Sequence, residues 1–345
     1  MAKFNLEKSA KKLAKTIKSA KNFLILLHDN PDPDCIASGL ILAKIGQSLN
    51  TNSTVGYGGH LGRSENIKLV QSMKSGICHL NKINFDEFDL IALVDSQPRT
   101  GNNSLPENRE ADIVIDHHPF FGEKATTITD VREDGGCTTV MTYHYLKSLN
   151  IELDKNLATA IIYAIITETQ DLGRETSQQD LEAYLELFPK ADLPLLSKIR
   201  HPKRPHSYFS DLKSALNNMY TEGTVVFSHL GKVNVTDIVP EMCDLILEME
   251  GIEWAMCSGH TNDKIAISIR TIYEEANLGD LLKKIVGEKG KAGGHGMMAG
   301  GFIYLDEFCD LKYDSIVHDL SMNFLQETIK ERKKLQENGL QSKPE

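Results

Sequence analysis

Paired cysteines and long apolar runs are both missing from this sequence. Its six cysteines (Cys35, Cys78, Cys137, Cys243, Cys257 and Cys309) are scattered, with no CxxC pair. That spacing argues against a disulfide framework and against a cysteine zinc site. A reducing compartment fits it, and the protein is expected to be cytoplasmic. No apolar run approaches the roughly 18 residues that a membrane span needs, so no membrane partner is expected. The lysine-rich stretch from Met1 to Lys21 lacks the apolar block of a secretory signal. A mitochondrial presequence is the alternative there, opposed by Glu7 and by the repeat Leu6, Leu13, Ile17, which fits an ordinary first helix. A basic excess is also lacking. The formal net charge is −10, whereas proteins that hold long nucleic acids usually present basic surface to the phosphates. Long duplex nucleic acid is therefore not an expected partner. A phosphate-bearing substrate must be drawn by a local cluster or by bound metal ions.

What is present reads as an ordinary globular chain. With 345 residues, 41% hydrophobic and 25% charged, it is long enough for about two domains and a sizeable core. The first half alternates strand and helix patterns. Phe23 to His28, Asn52 to Tyr57, Asp89 to Asp95, Asp112 to Asp116 and Thr126 to Val131 read as strands, and Asp34 to Leu49, Cys137 to Leu149 and Leu157 to Thr169 as helices. Continuous apolar strands separated by helices predict an α/β fold, a mostly parallel sheet with helices on both faces. Near residue 195 the texture changes, and the basic, proline-bearing stretch Arg200 to His206 suits a linker. Beyond it, strands at Thr224 to Ser228, Glu253 to Gly259 and Lys264 to Thr271, a helix at Leu278 to Val286, a glycine cluster and a strand at Gly301 to Leu305 make a smaller α+β unit. The expected organisation is a catalytic domain over 1–195, a linker over 196–215, a second domain over 216–325 and a polar tail over 326–345, with the active-site cleft between the domains.

Four acid-rich segments fall at or just beyond the C-terminal ends of these elements, where open α/β sheets build their sites. His28 ends the first strand, and Pro31 and Pro33 stiffen the loop that carries Asp32 and Asp34. Asp95 closes the strand Asp89 to Asp95. Asp116, His117 and His118 close the next, and Glu168 follows the apolar helix Ala160 to Ile166. Each alone has a bland reading, as a cap, a turn or a structural histidine. Together they form a hard oxygen and nitrogen donor set without thiolate, which suits Mn²⁺ or Mg²⁺ better than structural zinc. So many carboxylates repel one another unless cations neutralise them. Two divalent ions can activate a bridging water and clamp a phosphoryl group for in-line attack.

In this order the four segments resemble the four motifs of the DHH phosphoesterase superfamily. The glycine-rich segment Lys291 to Gly301 resembles the signature of the DHH-associated C-terminal domain, DHHA1. The resemblance covers nearly the whole chain and is nearest to the branch of oligoribonucleases (nanoRNases) and phosphoadenosine-phosphate phosphatases. It implies that His28, Asp32 and Asp95 hold one metal ion, and that Asp34, Asp95, His117 and Glu168 hold a second, with Asp95 bridging. Mn²⁺ is the first choice of ion and Mg²⁺ the alternative. By the same resemblance His118 faces the scissile phosphate and Asp116 orients the histidines. Arg270 binds the substrate's terminal phosphate, and His295, with Gly293 and Gly294, contacts the substrate. Arg99 and Arg174 are further phosphate-clamp candidates. One position departs from the family, which usually places aspartate where this chain has Glu168; Asp171 is the alternative ligand.

The implied activity is hydrolysis of short oligonucleotides or linear dinucleotides to mononucleotides. A 3′-phosphoadenosine 5′-phosphate phosphatase is the alternative within the superfamily. A family II pyrophosphatase shares the N-terminal motifs, but its C-terminal half lacks the glycine-rich pattern. A non-catalytic nucleotide sensor with an impaired metal site is the alternative from another class. The expected partners are short oligonucleotides, linear dinucleotides or nucleoside bisphosphates, and a homodimer is left open.

Overall fold

The structure is a computed structural model, and it describes residues 5–73, 76–121, 123–173, 176–305 and 310–337. Two compact units divide between Lys203 and Arg204. The N-terminal unit runs α1 (Leu6–Lys18), β1 (Asn22–Leu26), α2 (Pro33–Ser48), β2 (Asn52–Tyr57), α3 (Ser64–Met73), β3 (Ile77–His79), β4 (Leu90–Val94), β5 (Ile113–Asp116), β6 (Ile128–Val131), α4 (Thr138–Ser148), α5 (Lys155–Glu168), α6 (Gln178–Leu187) and α7 (Leu193–Arg200). Its sheet has the order β3-β2-β1-β4-β5-β6, and every pairing in it is parallel. The order reverses between β1 and β4. That reversal opens a crevice at the C-terminal strand ends, the usual place for a ligand in such sheets.

Alternation along the strands divides the core. Phe23 and Ile25 of β1 join Leu13 and Ile17 of α1 and the apolar sides of α2, α4 and α5. Leu24 and Leu26 face the other way, with Ile91, Leu93 and Val114. Leu80, Ile83, Phe85 and Phe88 pack on that second face, and they belong to a segment with only two short 3₁₀ turns. The covering there is thinner than the full helices that the apolar strands predict. The reason is local: four bulky apolar side chains from one irregular segment suffice for a smaller face.

The C-terminal unit runs α8 (His206–Asn217), β7 (Met219–Glu222), β8 (Val225–Lys232), α9 (Ile238–Leu247), β9 (Trp254–His260), β10 (Lys264–Thr271), α10 (Leu278–Val286), β11 (Gly290–His295), β12 (Met298–Tyr304) and α11 (Asp310–Glu337). Its mixed sheet has the order β11-β12-β10-β9-β8-β7. One face packs on α10 and α11, the other on α8 and α9. Since α7 ends at Arg200 and α8 begins at His206, the stretch between helices is shorter than 196–215. Arg204 within it pairs with Glu241 and lies 4.2 Å over the Tyr208 ring.

The glycine cluster, to which the sequence assigns no element, is a strand and a tight turn. Gly290–His295 pairs antiparallel with β12, and Gly296 turns the hairpin at a φ of 45°. Strand propensity disfavours glycine, but here the backbones must come close. A Cβ on Gly294 would stand 2.4 Å from Met298 O, and one on Gly279 of α10 would stand 2.0 Å from Gly294 O. Among the described residues no helix is long and apolar enough to cross a membrane.

Candidate metal centre

Strands β1 and β4 flank the switch point, and each leads directly to a site residue. His28 follows β1, and its Nδ1 lies 2.9 Å from Asp29 O. A carbonyl can only accept, so Nδ1 carries a proton, and Nε2, turned towards Asp32 and Asp95, is the ring atom that would ligate a metal ion in exchange for its own proton. Asp32 caps α2, accepting from Cys35 N at 3.0 Å, and its Oδ1 stands 3.7 Å from His28 Nε2. Asp34 lies in the first turn of α2, where negative charge suits the helix N-terminus. A second helix meets it there. Thr138 N donates to Asp34 Oδ2 at 2.9 Å and Thr139 N to Oδ1 at 2.8 Å, both from the start of α4.

Asp95 follows β4 with a φ of +55°, an uncommon conformation for any residue but glycine and one found at functional sites. Its buried carboxylate accepts from Thr138 Oγ1 at 2.9 Å. Oδ2 stands 3.5 Å from His28 Nε2. Oδ1 stands 3.5 Å from His117 Nε2 and 3.6 Å from His118 Nδ1. On the far side of His117, Glu168 Oε1 is 3.8 Å from Nε2, at the end of α5. These gaps are longer than N–H···O hydrogen bonds. They are close to the ~3–3.5 Å between two ligands that each sit about 2.1 Å from one ion.

The electrostatics point the same way. Burial, then the charge of Asp95, pushes Asp34 up to about 7. Burial, then Asp34, Asp32 and Asp95, pushes Glu168 well above the carboxylate range. Burial opposes ionisation of Asp95 too, but His28, His118 and His117 outweigh it and hold that carboxyl well below the usual range. These crowded acids are a site that a cation relieves. Cys35 also comes within ligand reach of His28 and Asp95. Its thiol is pushed up to about 12 by burial and donates to Val94 O at 3.4 Å. Oxygens and imidazoles are thus the fitting donors.

His118 is held differently from His117. Its Nδ1 donates to Asp116 Oδ1 at 2.9 Å. Burial would lower its pKa, but Asp116, Asp95 and Glu168 raise it to about 9. The other Asp116 oxygen, Oδ2, accepts from Gln97 Nε2 at 2.6 Å.

The remaining candidates are placed as follows. Arg99 turns away from Asp95: its guanidinium donates to Glu107 O at 2.6 Å and lies 3.9 Å from Glu123. Arg270 is buried. Its Nε donates to Asp244 at 2.5 Å and its Nη1 to Ser268 Oγ at 2.7 Å, so part of its fork serves the β10 seam. Gly293 is exposed and Gly294 packs against β12. His295 ends β11. Arg174 lies outside the described residues. Asp171 pairs with Arg200 at 3.0 Å, which turns this alternative ligand aside. A cavity of about 520 Å³ opens at the other ends of α2 and α5, beside Lys44, Gln47, Ser53 and Leu157, and is lined by none of these groups. The sequence reading misses Gln97, Thr138 and Cys35. Gln97 had a signal, two positions beyond Asp95. Thr138 had one only in the Gly135-Gly136 break before its helix.

Comparison with known proteins decides the family. The chain matches the DHH family, N-terminal domain, over residues 22–165 and the DHHA1 domain over residues 222–317. It belongs to the DHH family. An uncharacterised protein of Methanocaldococcus jannaschii is 34% identical over 305 residues, which is 88% of this chain and 62% of that protein. The chain therefore spans less than two thirds of that relative's length. A probable manganese-dependent inorganic pyrophosphatase of Staphylococcus saprophyticus is 25% identical over 275 residues, 77% of this chain and 86% of that protein. Among solved structures, an exopolyphosphatase-related protein from Bacteroides fragilis matches with a TM-score of 0.77 at 14% identity, over 94% of this chain and 98% of that one. That likeness bears on the fold.

Proposed function

We propose that this DHH-family protein is a divalent-cation-dependent phosphodiesterase that cleaves short oligonucleotides or linear dinucleotides to mononucleotides. The observation that carries the reading is Asp95, whose Oδ2 faces His28 while Oδ1 faces His117 and His118. One carboxylate between two sets of imidazoles is what a pair of neighbouring ions requires. In this reading His28, Asp32 and Asp95 hold one ion, and Asp34, Asp95, His117 and Glu168 the other. Mn²⁺ is favoured by the manganese-dependent relatives. Such ions, when bound, supply Lewis acidity that activates water and offsets phosphoryl charge.

The chain's own residues do the rest. Asp116 fixes the His118 ring through Nδ1. The Asp116 carboxylate beside the ring favours its protonated form, so His118 is placed to hold a second proton. It can neutralise a phosphoryl oxygen or protonate the leaving oxygen. The net charge of −10 favours short substrates over long ones. Arg270 is the proposed contact to the substrate's terminal phosphate, for which it would exchange an internal acceptor, and His295, with Gly293 and Gly294, is a further proposed substrate contact. Arg99 and Arg174 are weaker candidates.

A second reading, phosphoanhydride hydrolysis, is favoured by the pyrophosphatase relatives. The experiment is incubation of the full chain with Mn²⁺ and, separately, 5′-phosphorylated dinucleotides, 3′-phosphoadenosine 5′-phosphate and pyrophosphate. Mononucleotides from the dinucleotides are the expected result. Orthophosphate from pyrophosphate alone replaces the reading with the second one. Binding without turnover at any divalent metal makes the protein a sensor.

A further inference from the structure

Beside the metal centre stands a feature that the hydrolytic chemistry does not use. His118 is followed by Pro119, Phe120 and Phe121, and both phenylalanines are exposed, at 47% and 80% of their surface. Phe121 is the most exposed large hydrophobic side chain among the described residues. Water-facing phenylalanine is unfavourable by its lost burial, so an exposed pair calls for an occupant.

The backbone beneath the pair is fixed. Gln97 is buried and its amide holds three points of the loop. Nε2 donates to Asp116 Oδ2 at 2.6 Å and to Pro119 O at 3.0 Å, while Oε1 accepts from Phe121 N at 3.0 Å. One side chain therefore links the acid that orients His118 to the backbone that presents Phe121. Pro119 removes a further degree of freedom. Aromatic rings on a fixed loop, within three residues of the proposed proton donor, match the stacking platforms that hold unpaired bases.

We infer that Phe120 and Phe121 form a nucleobase platform, so that the site selects nucleotide substrates over base-free phosphates. The inference rests on the phosphodiesterase reading for its substrate and deepens it. An inorganic polyphosphate gains nothing from such a pair. A dinucleotide bound with its phosphodiester at the metal centre lays a base across the rings. Stacking tolerates any base, so purine dinucleotides, with the larger faces, bind more tightly than pyrimidine ones.

The test uses the full chain loaded with Mn²⁺ and compares wild type, F121A, F120A/F121A and the conservative F121W. Substrates are a 5′-phosphorylated adenine dinucleotide and its abasic counterpart. Binding of adenosine monophosphate, measured by calorimetry, gives a readout independent of turnover. Expected is a KM about tenfold higher for the adenine dinucleotide in F121A, with kcat within about twofold, near-normal values in F121W and no change for the abasic substrate. An unchanged KM in both alanine variants overturns the platform, as does equal loss on the abasic substrate. If wild type hydrolyses neither diester but binds adenosine monophosphate about tenfold more tightly than F121A, the phosphodiesterase reading fails and the platform stands. Equal or absent binding in both removes the platform.

Discussion

His118 Nδ1 donates to Asp116 Oδ1 at 2.9 Å, and this bond decides which ring nitrogen is left to meet a substrate. Asp116 also accepts from Gln97, so its carboxylate cannot swing without releasing a buried amide. A residue that acts by orienting another shows itself in rate more than in binding. For Asp116→Asn, kcat is expected to fall about 10- to 100-fold, with KM and Mn²⁺ stoichiometry nearly unchanged. Steady-state kinetics with metal analysis checks it. A wild-type kcat would show that the ring needs no anchor.

Glu168 tests how the fourth segment reaches the centre. Its carboxylate comes within 3.8 Å of His117, so the longer side chain of glutamate spans the gap from the end of α5. Shortening it by a methylene withdraws the carboxylate by roughly 1.5 Å, one C–C bond. Glu168→Asp is expected to weaken Mn²⁺ binding about tenfold or more, or to change the Mn²⁺ to Mg²⁺ activity ratio. Metal titration by calorimetry and activity in each ion are the measurements. An unaltered metal profile would mean that Glu168 is not a ligand.

Much of this centre was legible because its residues sit where apolar strands stop. The runs before His28, Asp95 and Asp116 are strand-like on their own, and a parallel sheet aligns their C-terminal ends. What the chain could not announce was the contribution of backbone. Asp34 is met by the N–H groups of Thr138 and Thr139, about a hundred positions away, and N–H groups leave no trace in residue type. Gln97 had its place just beyond Asp95 as a signal, but a polar residue among others after a strand reads as surface until its partners are known. Arg270 reads as a free cation at a strand end, and only the fold reveals Asp244 beside it. The glycine strand β11 was obscured by composition, because close backbone packing reverses the usual propensity.

That packing yields a counterintuitive expectation. Alanine normally stabilises a helix interior over glycine by about 1 kcal/mol. Gly279 lies in α10, yet a Cβ there would stand 2.0 Å from Gly294 O, and Leu278 N donates to Gly296 O at 3.1 Å at the same junction. Gly279→Ala is therefore expected to destabilise the C-terminal unit by about 1–3 kcal/mol, the usual range for overpacking. Trp254, the single tryptophan of the chain, lies buried in this unit, so its fluorescence during urea unfolding reports the unit alone. A gain in stability would mean that α10 slides freely off β11.

The same tryptophan can follow a titration remote from the metal centre. His229 of β8 bridges two elements: Nδ1 is 2.8 Å from Ser258 Oγ on β9, and Nε2 is 3.1 Å from Ser321 Oγ on α11. Ser321 gives its own proton to Val317 O, so Nε2 is the donor to Ser321 and Nδ1 accepts from Ser258. This arrangement wants a neutral ring. Burial lowers the pKa of His229 to about 4, against a small opposing pull from Asp314. In the unfolded chain the ring titrates near 6.5. Between those values the unfolded state takes up a proton that the folded state refuses, so stability is intact above about pH 6.5 and falls as the pH drops towards 4. The loss is on the order of 3 kcal/mol across the window. His229→Gln removes the titrating group, and its unfolding free energy is expected to vary less with pH over that range than that of the wild type. Urea unfolding at several values between pH 7.5 and 4.5 makes the comparison. Equal slopes in the two proteins would assign the acid sensitivity of this unit to its carboxylates instead.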